Sequence, residues 1–268
     1  MNMTNEPTTK NLPALFVGHG SPMNVLESSP WSKTMEEISG TFARPAAILV
    51  VSAHWLTHGL KITALPNPGQ IYDFYGFPRE LYEVEYRAPG DPALAHHAAM
   101  LLTAAGFPCA EDMSRGIDHA GWAVMWHLYP NHDIPLLELS IDVRLPYQKW
   151  FEVGKALRPL RKEGVLLVGS GNIVHNLYEV DYETMSRRRY PWSLAFNELI
   201  KQKIAARDWA SLASYATPIQ VSERAVPTPD HYIPLLATAG MLQEGEDMRV
   251  FHESFQNGSV AMTSYIVR

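Results

Sequence analysis

Ala46–Trp55 reads AAILVVSAHW. Its first six residues are apolar without alternation, so a strand here must be covered on both faces, as in a parallel sheet between helices. It runs out at Ala53-His54-Trp55, small residues followed by a histidine. Two further apolar runs share this form. Ala14–Val17 ends in Gly18-His19-Gly20-Ser21-Pro22, and Gly164–Gly169 runs into Ser170-Gly171-Asn172-Ile173-Val174-His175-Asn176. Ile134–Ile141 (IPLLELSI) makes a fourth strand, and Lys61–Leu65 a weaker one.

Helical segments separate these runs. Trp31–Ser39 has Ser29 and Ser32 to cap it, and Asp91–Ala105 has an Asp N-cap, Pro92 in its first turn and Gly106 at its end. Gly121–Leu128, Tyr147–Arg161, Trp192–Ala206 and Asp208–Tyr215 follow, then a helix through Ala239 capped by Thr228-Pro229-Asp230. Gly258–Val267 alternates weakly and fits an antiparallel edge strand. The order predicts an α/β fold: a central, mostly parallel (mixed) sheet flanked by helices, with a functional site at the C-terminal ends of the strands. No internal repeat or linker composition divides the chain. Residues 13–268 are expected to form a single domain, with residues 1–12 a disordered tail.

The 268 residues carry 22 Lys and Arg against 28 Asp and Glu, a net charge of −6, which gives no broad positive field for nucleic acid. A single cysteine, Cys109, excludes an internal disulfide framework and a cysteine zinc ribbon, and nothing basic adjoins it to make it reactive. The first residues lack an apolar signal core, and no run approaches the roughly 20 apolar residues of a membrane span. A cytoplasmic location without membrane contact is the expectation. A homo-oligomer is left open by composition.

Eleven histidines are about twice the usual share. Parallel strands bring their C-terminal ends to one rim, so His19, His54 and His175 should converge. His231, after Thr228-Pro229-Asp230, is a fourth candidate. Converging neutral imidazoles suit a transition metal or zinc, and the small neighbours let backbone approach closely. Asp118-His119 stands at a loop-to-helix junction: Asp118 suits a cap and His119 a proton donor. His58, His96, His97, His132 and His252 read as solvated, and His127 as part of its helix. The long Gly/Pro/aromatic loop Pro66–Pro78, with Tyr72, Asp73, Phe74, Tyr75 and Phe77, has the composition to wall an aromatic substrate. Arg79, Arg87 and Arg115 read as surface charges before substrate partners.

Seven segments in order resemble one family. They are FVGHGSPMNVLE (16–27), VVSAHW (50–55), YDFYGFP (72–78), GIDHAGW (116–122), LSID (139–142), GSGNIVHNL (169–177) and TPDHYIPLL (228–236). Together they are similar to the 4,5-DOPA extradiol dioxygenase family, within the LigB-type (class III) extradiol ring-cleavage dioxygenases. The resemblance implies one catalytic domain and one divalent metal ion per chain, Fe(II) or Zn(II), with His19, His54 and His231 as ligands. It implies His175 as catalytic acid/base, able to reach the metal in zinc-loaded members, and His119 on the dioxygen and substrate side. Ser21, Asp73, Phe74 and Tyr75 fall where substrate would bind. The implied partners are a catecholic, DOPA-like substrate and dioxygen. A zinc hydrolase or zinc-binding protein built on the same histidines is the alternative.

Overall fold

The structure, a computed structural model, describes residues 11–181, 189–214 and 219–268. Of the expected tail, residues 1–10 lie outside the described residues. Leu12 is buried and bonded to Arg161 through both its N–H and its carbonyl.

Eight strands form one sheet. In chain order they are β1 (Ala14–Gly18), β2 (Ala47–Thr57), β3 (Leu60–Thr63), β4 (Cys109–Asp112), β5 (Leu136–Asp142), β6 (Val165–Gly171), β7 (Met248–His252) and, after the β8–β9 hairpin (Phe255–Gln256 and Val260–Ala261), β10 (Ser264–Val267). The order across the sheet is β4-β3-β5-β2-β6-β1-β10-β7. The central strands β5, β2, β6 and β1 are mutually parallel, while β3 is antiparallel to β5 and β10 to both β1 and β7. The sheet is thus mixed about a parallel centre.

The apolar runs lack alternation because each strand feeds two cores. Leu49 and Val51 of β2, Phe16 of β1 and Leu167 of β6 face one; Ile48, Val50, Leu15, Val17, Leu166 and Val168 face the other. The first is covered by α2 (Pro92–Ala104), α4 (Lys149–Leu157), α6 (Pro191–Ala205) and α9 (Ile233–Gly240), with the short α5 (Pro159–Lys162), α7 (Trp209–Ala213) and α8 (Ile219–Ala225) beside them. The second is covered by α1 (Pro30–Ile38) and α3 (His119–Leu128), whose Trp31, Met35, Trp122 and Met125 are buried there. Ser29 and Ser32 close a reciprocal capping box on α1, and Asp91 caps α2.

The structure corrects several expectations. β10 is internal, and β7 forms the edge beside it. The helix expected from Thr228 begins only at Ile233, and Asp230 bonds the imidazole of His231 instead of capping. The long helix 147–161 is two pieces, α4 and α5, divided before Pro159, which cannot donate to the preceding turn. β2 continues past His54 to Thr57 through a shift in its register with β5 between Val51 and Leu56. Such a bulge re-aims side chains near functional sites, and His54 lies within it.

No described helix is long and apolar enough to cross a membrane.

Candidate metal centre

The parallel strand ends deliver the histidines to one place. His19 follows β1, His54 lies near the end of β2, and His175 comes four residues after β6. His231 is brought in by the end of β6, where the Asn172 N–H donates to the His231 carbonyl at 2.8 Å. Gly171 makes this possible: a Cβ there would sit 2.1 Å from that carbonyl oxygen, so any side chain would push His231 away. Gly20 turns the chain behind His19 with φ +60°, in the left-handed region.

His19, His54 and His231 each offer a nitrogen within 4.8 Å of the others. The Nε2 atoms of His19 and His54 are 3.2 Å apart. The outer nitrogens are engaged elsewhere. His54 Nδ1 lies 3.2 Å from Asp73 Oδ2, His231 Nδ1 bonds the Asp230 carboxylate, and His19 Nδ1 lies 3.0 Å from Ser170 Oγ. A carboxylate at Nδ1 holds the proton there and leaves Nε2 as a bare lone pair. His231 Nε2 is fully buried with no hydrogen-bond partner among the described residues. Lone pairs converging without a donor are costly unless a cation accepts them. The spacing of 3.2 Å is that of two imidazoles on one ion with bonds near ~2.1 Å. The donor set therefore fits a divalent transition metal or zinc.

Burial keeps these imidazoles neutral. Desolvation, then the neighbouring histidines, lowers His19 and His231 well below the ordinary value. Desolvation likewise takes His54 down to about 3 and His175 down to about 4, against partial opposition from Asp73 and Asp230. Each group binds fewer protons folded than unfolded below its usual pKa of about 6.5, so metal-free protein should lose stability as pH falls from ~6.5 toward ~4. Denaturant midpoints across that range check this. A midpoint indifferent to pH would contradict the buried neutral cluster.

His175 stacks on His231, ring centroids 3.4 Å apart and planes within 6°. With Asp230 and His231 it forms a further group of close donors that shares His231 with the first, and His54, Asp73 and His119 form another. His119, the first residue of α3, is buried 5.4 Å from His19 and 4.1 Å from His54 by ring centroid. Asp73 fixes it twice, accepting its backbone N–H at 2.9 Å and facing Nδ1 at 2.8 Å. Burial would raise the Asp73 carboxyl, but the hydrogen bonds from His119 and the neighbouring His54 imidazole hold it below the ordinary range.

Of the other residues marked from sequence, Phe74 stands edge-on to His119 at 5.6 Å within a cluster that includes Tyr72, Phe77 and Trp122. Tyr75 is 92% exposed. The Ser21 hydroxyl accepts the Met23 N–H, and its own N–H donates to Gln256 Oε1. Arg79 and Arg87 pair with Glu83 and Glu85 at the surface. Arg115 does not: its side chain, 22% exposed, donates to Asp118 at 2.8 Å and covers Trp55. His252, expected to be solvated, is buried between Thr34 and Ser254, and desolvation takes it down to about 4. His127 is buried, and its Nε2–H donates to the Asn24 carbonyl. Burial pushes the Cys109 thiol up to about 12, which keeps it unreactive.

Sequence reasoning passes over three supports. Asn24 Nδ2 donates to the His19 carbonyl at 2.8 Å, and Gln256 from the β8–β9 hairpin donates to Asn24 Oδ1. Asp230 fixes His231, a pairing its adjacency could have signalled.

The fold is that of a known class. The chain matches, over residues 13–268, the family model described as the catalytic LigB subunit of aromatic ring-opening dioxygenase, and it belongs to that family. A protein of Escherichia coli K12 named 4,5-DOPA dioxygenase extradiol is 42% identical over 96% of this chain and 95% of its own. One of the same name from Beta vulgaris is 34% identical over 93% and 94%. The crystal structure of an uncharacterized E. coli K12 protein superposes with a TM-score of 0.82 at 39% identity, covering 95% of this chain and 99% of that one.

Proposed function

We propose that the chain is an extradiol dioxygenase that opens the ring of a DOPA-like catechol with dioxygen, using one Fe(II) ion held by His19, His54 and His231. The observation that carries this is the convergence of three neutral imidazoles, one with a buried orphan Nε2, beside two further histidines, His119 and His175. Bound iron(II) would supply the redox chemistry that couples catechol oxidation to dioxygen reduction; zinc, equally suited to three imidazoles, would not.

The protein's own groups account for orientation and protons. His175, neutral at pH 7 through burial, accepts a proton from a catechol hydroxyl and returns it to a product oxygen. Asp73 locks the tautomer of His119 by holding its Nδ1–H, which leaves the remaining nitrogen for substrate or dioxygen. Phe74 and its aromatic neighbours wall the His119 side and exclude water there. Tyr75 can meet substrate only from the solvent side. A small molecule and dioxygen are the partners this requires, and a cytoplasmic enzyme is consistent with it.

Dioxygen uptake decides the reading. Protein reconstituted anaerobically with Fe(II) is expected to consume dioxygen with L-DOPA or a simple catechol and form a yellow semialdehyde, while zinc-loaded protein consumes none. No uptake with any catechol, alongside tight stoichiometric zinc binding, would replace it with the zinc-enzyme reading.

A further inference from the structure

Helix α3 starts without the partner its own sequence would supply. Asp118 is the N-cap and accepts the Ala120 N–H at 3.1 Å. In a capping box the third helical residue returns a Glu or Gln side chain to the N–H of the cap. Here that residue is Gly121. The Asp118 N–H donates instead to Glu138 Oε1, at 3.1 Å, from strand β5 across the core. A Cβ on Gly121 would lie 2.4 Å from that same oxygen. The sheet thus delivers a carboxyl into the space a side chain on Gly121 would fill.

Asp118 is also the knot between two functional segments. Ser52 Oγ donates to its carboxylate at 2.9 Å and accepts the His54 N–H at 3.1 Å, while the next residue along the chain is His119. Asp118 and Glu138 are both fully buried, and Glu138 Oε2 has no partner among the described residues. A buried carboxyl with an unmade hydrogen bond is costly, and the packing gain of an apolar residue is forgone to keep it.

We propose that Glu138 is a positioning residue, completing the cap of α3 from the neighbouring sheet and thereby setting His119 against Asp73 and His54. Its effect on turnover rests on the function proposed above; the positioning of His119 does not. Burial, then the charge of Asp118, pushes the Glu138 carboxyl well above its ordinary range, and glutamine keeps a carbonyl that can accept the same N–H.

The experiment reads the His119 Nδ1–H directly, as a downfield imidazole resonance in zinc-loaded protein, assigned by its loss in His119→Gln. Glu138→Gln is expected to keep the resonance. Glu138→Leu is expected to lose it to solvent exchange, with zinc affinity unchanged. In Fe(II)-loaded protein, Glu138→Leu should lower kcat by ~10–100-fold, as for other outer partners of a site, with KM nearly constant. Gly121→Ala provides a second route. Alanine favours a helix, so loss of the resonance there reports crowding of Glu138 Oε1 and Ile117 Cγ2, 2.4 and 2.8 Å from the added Cβ, and not a weaker helix. Retention of the resonance in folded Glu138→Leu or in Gly121→Ala overturns the proposal, as does its loss in Glu138→Gln. If the parent Fe(II) protein turns over no catechol, the functional reading fails, while the resonance still decides the role of Glu138.

Discussion

Replacing His175 by alanine is expected to lower kcat by ~10²–10⁴, the range for removal of a general acid–base, while the metal stays bound. The geometry separates these two effects. His175 is close to Asp230 and His231 but outside the donor set of His19, His54 and His231. Its ring also packs face to face on His231, so alanine removes a packing partner along with a base. His175→Phe keeps a flat ring in that position and removes only the nitrogens. Equal loss in both variants, with metal content measured on the same samples, would assign the loss to proton transfer. Near-normal ring opening in either would remove His175 from that role. Loss of metal in both would make it a ligand.

The second large effect belongs to His231. His231→Ala should weaken metal binding by more than ~100-fold, beyond the 10–100-fold typical of an outer partner such as Asp230 in Asp230→Asn. The reason is positional. The His231 backbone is clamped by Asn172 and its Nδ1 is held by Asp230, so its buried Nε2 has one direction to face and no partner there. Chelator competition with Zn(II) or Fe(II) measures both variants. Stoichiometric, tight metal in His231→Ala would sink the three-histidine set. Equal affinities in parent and Asp230→Asn would show that the carboxylate does not tune it.

The centre of this fold was legible because AILVV, ALFV and VLLV have no polar alternate, and only a sheet covered on both faces accepts that. Parallel direction then brings His19, His54 and His175 to one rim, an inference from strand order alone. What escaped was set by contacts distant in sequence. β4 (CAED) and β7 (MRVFH) are short and only partly buried, and form as outer strands because a neighbour offers them an edge. His252 looks solvated beside Glu253 and is buried only because α1 lies over β7 and offers Thr34. Asp73 sits in an aromatic loop and reads as a substrate contact, yet both its oxygens are engaged by His119 and one also faces His54. Local sequence announces a histidine at a strand end. It does not announce which carboxylate will hold it.

The pairing of β1 with β10 has a consequence for how the protein is made. Ala14 is opposite Val267, and Gly18 rests against the backbone of Met262, so the strand that leads into His19 is flanked by residues translated after every histidine of the cluster. All five histidines of the cluster leave the ribosome before β10 does. Until it arrives, the β1 edge that β10 will pair is open. A nascent chain stalled before β10 would therefore carry all five histidines of the cluster with one edge of β1 still unpaired.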